Sequence, residues 1–133
     1  MRLLSLRLKQ GQDLKLEIEH FAKANDIKAG FIVTCVGSLN KIVMRMAGAS
    51  QDRQDTRTFE DDYEVVSLVG TIAKNGFHLH LAISDKEGVV LGGHLKEGST
   101  VSTTAEIVIG EDTEKLFKRE VNLVTGFEEL TIT

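Results

Sequence analysis

Three of the four histidines fall within the segment Phe77–Lys96, FHLHLAISDKEGVVLGGHLK. Neutral imidazole nitrogens are good ligands for zinc, and three of them on one rigid patch leave a coordination position free for water or substrate. Whether His78, His80 and His94 share such a patch depends on the strands around them. In FHLHLAIS the residues alternate, so Phe77, Leu79, Leu81 and Ile83 share one face while His78, His80, Ala82 and Ser84 share the other. The two histidines then lie about 7 Å apart along the strand. A three-residue hairpin loop built on a type I turn needs a left-handed residue in its last place, and Lys86-Glu87-Gly88 supplies the glycine.

That loop predicts Asp85 opposite Val89, Ile83 opposite Leu91, His80 opposite His94 and Leu79 opposite Leu95. Directly opposed residues lie on one face with Cβ atoms about 5 Å apart, so this register gathers all three imidazoles on one side and the aliphatics on the other. A slip of one residue would send His94 among the aliphatics. Gly92 and Gly93, just before His94, leave room for close approach of a ligand or another backbone. A half-exposed strand whose polar face simply carries histidines meets the same pattern, and spacing alone does not choose between the two readings.

Around this hairpin, RLLSLRLK (Arg2 to Lys9) reads as a strand closed by Gln10 and Gly11. Asp13 is a good N-cap for a helix that carries Leu14, Ile18, Phe21 and Ala22 on one face and ends near Ala24-Asn25-Asp26. His20 falls off that stripe, as a solvated surface residue would. AGFIVTCVGSL and KIVMRMAGA read as two consecutive strands joined tightly around Gly37 to Asn40, the first with the continuous apolar run of a strand buried on both faces. SQDRQDTRTFEDD is charged without period, which fits a mobile loop or a pair of ragged strand ends. YEVVSLVGTIA resumes the strand pattern, Lys74-Asn75-Gly76 turns it into the histidine strand, and TVSTTAEIVIG is a further strand rich in β-branched residues. EDTEKLFKRE fits a short helix or a strand, and GFEELTIT a closing strand. The sum is one α+β domain over residues 1–133, mainly antiparallel sheet, with one main helix between the first two strands.

Composition narrows the function classes. A chain of 133 residues with 41% hydrophobic and 27% charged residues has the make-up of one globular domain, with only 5% aromatics and hence a core of Leu, Val and Ile. The net charge of −4, with no stripe of Lys and Arg, disfavours direct DNA binding, which depends on neutralising phosphates. The single cysteine, Cys35, lies in the apolar run FIVTCVG and reads as a buried, reduced thiol. The opening MRLLSLRLKQ is broken by Arg7 and Lys9 before a signal-peptide core forms, and no apolar run approaches the ~20 residues of a membrane span. The expected location is cytoplasmic, with no membrane partner.

Several segments carry a family resemblance: the helix-strand opening, GSLNKIVMRMAGA, YEVVSLVGTIA and above all GVVLGGHLKEGSTVSTTAEIVI. Over about Leu6 to Ile132 the chain resembles the plants-and-prokaryotes-conserved (PPC) domain, which follows AT-hook motifs in plants and stands alone in bacteria and archaea. The resemblance implies a highly curved antiparallel sheet, a homotrimer, and a frequent description of stand-alone members as DNA-binding proteins. No AT-hook is present here, and the chain has no proline. The fold is also distantly similar to acetolactate decarboxylase, whose metal centre uses an H-x-H pair and a later histidine, with acidic and arginine side chains handling the substrate. His78, His80 and His94 match that ligand pattern, which implies a divalent metal, zinc being the expected one. Glu64 in YEVVSL and Arg45 in VMRM are candidate catalytic neighbours.

The leading functional expectation is thus a homotrimeric assembly or regulatory module with a three-histidine metal site and possible protein partners. The alternative is a metal-dependent enzyme acting on a small oxo- or hydroxy-acid.

Overall fold

The computed structural model describes residues 1–133. Its elements run β1 (Arg2–Lys9), α1 (Leu14–Ala24), β2 (Ala29–Arg45), β3 (Thr56–Ala73), β4 (Gly76–Ser84), β5 (Val90–Leu95), β6 (Thr100–Glu111), β7 (Phe117–Val121) and β8 (Glu128–Ile132). The first six strands form one sheet in the order β1-β6-β2-β3-β4-β5, and every pairing is antiparallel. The edge strand β5 also returns to β2, with Met44 opposite Leu95 and Arg45 opposite His94. That contact bends β2, β3, β4 and β5 into a closed ring, the form that the expected high curvature takes here. β7 and β8 make a separate two-stranded sheet.

α1 starts where Asp13 accepts a hydrogen bond from the Leu16 N–H at 3.1 Å, and the second carboxylate oxygen accepts from the Gly98 N–H at 2.6 Å. One residue therefore caps the helix and ties it to the loop before β6. Leu14, Ile18 and Ala22 are buried, while Phe21 is only partly so. The helix stripe joins Leu39, Ile42, Met44, Leu79, Leu81, Ile83, Leu95 and Ile107 in one continuous core. No helix is long and apolar enough to cross a membrane.

Three expectations need correction. Residues 29–45 are one 17-residue strand, not two strands joined near Gly37. Register shifts at Ile32/Thr34, Gly37/Leu39 and Leu39/Lys41 absorb the polar and small residues that suggest a turn. A Cβ on Gly37 would lie 2.2 Å from the Thr104 carbonyl oxygen, so the glycine serves close strand approach. Nor is this strand buried on both faces, because Val33 and Val36 are 51% and 61% exposed. Finally, β3 begins at Thr56, so the second half of the charged stretch is strand and only residues 46–55 form the loop. The ambiguous EDTEKLFKRE segment contributes strand β7. His20 is exposed, and Cys35 is buried, its thiol pushed up to about 11 by that burial.

Candidate metal centre

β4 and β5 meet in the register that alternation requires: His80 opposite His94, Ala82 opposite Gly92, and Ile83 opposite Leu91. The turn fixes it. The Asp85 N–H donates to the Val89 carbonyl at 3.0 Å, the Gly88 N–H donates to the Asp85 carbonyl at 3.0 Å, and Gly88 takes the left-handed conformation at φ 77°. Leu79, Leu81, Ile83 and Leu95 are thereby buried, and the histidines face the other way. His78 and His80 are exposed and His94 is half-buried.

A ligand-type nitrogen from each of the three rings lies within 4.8 Å of the other two. The Nε2 atoms of His78 and His80 are 3.0 Å apart, and the ring centroids are separated by 4.7, 5.1 and 5.8 Å. Nitrogens around a tetrahedral zinc with Zn–N of about 2.0–2.1 Å sit roughly 3.3 Å apart, so the cluster fits such an ion within small side-chain rotations. His94 Nδ1 is buried without a hydrogen-bond partner.

The electrostatics suit ligation. Burial, then the positive charges of Arg45 and Lys96, then the other two histidines, bring His94 down to about 3. Burial, followed by His80, Arg119 and Arg45, also lowers His78 from its ordinary range. At neutral pH both rings keep the lone pairs that a metal needs.

Neighbouring strands supply the walls. Arg45 lies directly opposite His94 across β2 and β5, and Thr71 directly opposite His78 across β3 and β4. The β7–β8 hairpin closes over them, with Arg119 Nη2 donating to Thr71 Oγ1 and the Arg45 guanidinium 5.8 Å from the Phe127 ring centroid. The result is an open cleft of about 1260 Å³ that holds the three histidines, Arg45, Arg119 and Glu128. Burial pushes Arg119 down from the usual arginine range, opposed by the charge of Glu128.

Of the neighbours expected from sequence, Arg45 is brought to the cluster and Glu64 is not. Glu64 sits opposite Ser84 and Ser38, is exposed, and does not line the cleft. Sequence reasoning missed Arg119, Phe127 and Glu128. An arginine in the short charged strand FKREV gives no periodic signal of burial, since only the packing of the hairpin onto β3 and β4 creates it.

Residues 1–113 match the profile of the Plants and Prokaryotes Conserved (PCC) domain. The chain belongs to this family. The name denotes the same plants-and-prokaryotes-conserved domain that the GGH segment and its flanking strands resemble. The PPC chain is 40% identical over 132 residues to the bifunctional protein GlmU of Synechococcus sp. strain JA-3-3Ab, a match covering 99% of this chain and 21% of that protein. It thus spans about a fifth of the length of this curated relative. Among solved structures, a hypothetical protein from Salmonella enterica superposes with a TM-score of 0.93 at 41% identity, covering 99% of this chain and 93% of that one. A metal-containing protein from Archaeoglobus fulgidus shares the fold with a TM-score of 0.84 at 24% identity, covering 98% and 94%. A Staphylococcus aureus protein similar to alpha-acetolactate decarboxylase shares it more distantly, with a TM-score of 0.56 at 17% identity over 83% and 52% of the two chains.

Proposed function

We propose that this PPC domain is a divalent-metal-binding protein that works as a homotrimeric assembly or regulatory module, with zinc held by His78, His80 and His94. The observation that carries the reading is the convergence of three imidazoles, with ligand nitrogens within 4.8 Å, on the floor of an open cleft. The metal-containing relative from Archaeoglobus fulgidus is in keeping with it. Assembly is supported by Val33, Val36, Val66 and Val69, all more than half exposed on β2 and β3, which leave apolar surface that partner copies would cover. Direct DNA binding is disfavoured by the net charge of −4.

A second reading, a metal-dependent enzyme acting on a small oxo- or hydroxy-acid, is favoured by the two arginines in the cleft. A zinc ion there would act as a Lewis acid or lower the pKa of a bound water. Arg45 and Arg119 would bind and orient an anionic substrate. Glu128 lines the cleft and is better placed than Glu64 to exchange a proton with it.

Elemental analysis of protein grown in zinc-replete medium tests the first reading. It predicts about one zinc per chain, falling to below roughly a tenth in His94→Ala. Less than that tenth in the unaltered protein removes its foundation. A stable monomer by light scattering at micromolar concentration removes the trimer.

A further inference from the structure

Alternation along β1, β6 and β2 lays two short rows of side chains across the outer face of the sheet: Ser5, Val108 and Thr34 in one, Arg7, Glu106 and Val36 in the other. Their strand neighbours Leu8, Cys35, Ala105 and Ile107 point the other way, into the core. The two rows floor an open groove of about 510 Å³. One row further along, Phe31 lies across Gly110, where a Cβ would stand 2.5 Å from the ring, and Leu3 meets the same glycine from β1. Leu3 and Val36 are both more than half exposed, so this apolar hollow is left to solvent.

The tip of the β7–β8 hairpin is its convex counterpart. Leu123 and Val124 stand almost fully in solvent, yet the turn that carries them is tightly hydrogen-bonded. Asn122 Oδ1 accepts from the Val124 N–H at 2.8 Å and the Thr125 N–H at 3.2 Å, and the Gly126 N–H donates to the Asn122 carbonyl at 2.7 Å. Thr125 Oγ1 donates to Glu129 at 2.7 Å, and Gly126 takes the left-handed conformation at φ 75°. A rigid turn loses little freedom on binding, which suits two exposed aliphatics to act as an anchor. The tip does not serve its own chain's groove: Phe127 at its base lies over Arg45, nine residues of β2 and roughly 30 Å of strand away from Val36.

A closed ring of three identical chains repeats one head-to-tail contact, so each chain must present two different surfaces that fit one another. We propose that the Leu123-Val124 tip of one copy seats in the β1–β6–β2 groove of the next. This rests on the homotrimer reading and names the two halves of its interface. A second copy is the occupant because Val36, on the groove floor, belongs to the exposed valine surface that assembly would cover, and because the free charges match. Arg7 in the groove has no carboxylate within 4.0 Å, although Glu106 lies opposite it, and Glu120 and Glu128 beside the tip have no cation within that distance. The hairpin that roofs the histidine cleft, held in its own chain by few contacts, would then be fixed by its neighbour.

The test co-expresses two variants of the full chain, Leu123→Cys and Ser5→Cys, and oxidises the mixture. The expected result is a disulfide-linked pair that forms only when both variants are present and that therefore joins two copies. Each variant oxidised alone controls for the buried Cys35. In parallel, Leu123→Asp combined with Val124→Asp is expected to weaken association about a hundredfold by light scattering, with an unchanged circular dichroism spectrum because both side chains are exposed. Trimers unaffected by the double change overturn the proposal while leaving the homotrimer reading in place. Dissociation without a mixed disulfide overturns the groove as the seat of the tip. An unaltered protein that stays monomeric at micromolar concentration removes the homotrimer reading and this contact together.

Discussion

The hairpins β4–β5 and β7–β8 reach the same cleft, but different forces hold them there. In β4–β5 one face is core: Leu79, Leu81, Ile83 and Leu95 are at most 2% exposed, and their burial fixes the side to which the histidines must point. In β7–β8 the only buried side chain is that of Arg119, while Leu123 and Val124 at the tip are 96% and 94% exposed. Its attachments are polar: the Phe117 N–H to the Lys28 carbonyl at 3.0 Å, the Lys74 N–H to the Phe117 carbonyl at 3.2 Å, and the reciprocal Asn75 pair on Arg119. The histidine cluster therefore belongs to the stable part of the fold, and the roof over it to a part stabilised by a handful of hydrogen bonds.

The sharpest way to break this comparison is to cut the two faces of one strand. Leu81→Ala removes a core side chain and is expected to cost about 2–5 kcal/mol in denaturant unfolding. His80→Ala in metal-free protein is expected to stay within about 1 kcal/mol of the parent, since an exposed side chain is lost. Equal losses for the two would mean that the histidine face is part of the core after all.

A smaller effect is expected in the other hairpin. Asn75→Ala removes both side-chain contacts to the Arg119 backbone and should cost about 1–2 kcal/mol. Amide exchange should rise along β7 and stay slow along β4. Uniform acceleration in both strands would show that the hairpin is not a separate unit.

The smallest effect is a pH slope. His94 is held down to about 3 in the folded chain against an ordinary value of 6.5. Between those values the unfolded chain binds a proton that the folded chain does not. The metal-free protein should therefore have this contribution in full above 6.5 and lose it as the pH falls toward 3. His94→Gln should unfold in acid with a shallower dependence over that window, as read from denaturation midpoints across pH. An unchanged slope would place the ring's neutrality elsewhere.

The same contrast explains what was legible in the sequence. Alternation in FHLHLAIS and the glycine at position 88 determine the face and the register of β4–β5 before any coordinates, because period and turn chemistry are local. The Asp13 cap and the Leu14, Ile18, Ala22 stripe are local in the same sense. What escapes is long-range. The continuity of β2 through Gly37 depends on bulges set by its partners β3 and β6, and the return of β5 to β2 is what seats Arg45 beside His94. Glu64, a candidate for the acidic neighbour that the resemblance implies, ends outside the cleft, whereas Arg119 enters it from a strand whose side chains give no burial signal. A polar flap carries no periodic signature of where it docks.

Zinc K-edge X-ray absorption of the purified protein tests the central claim most directly, because it reads the ligands and not only the content. Three imidazole nitrogens at about 2.0–2.1 Å with a light atom in the remaining position is the result expected of His78, His80 and His94. A sulfur neighbour, or a shell of oxygens without the imidazole scattering pattern, would contradict the three-histidine centre.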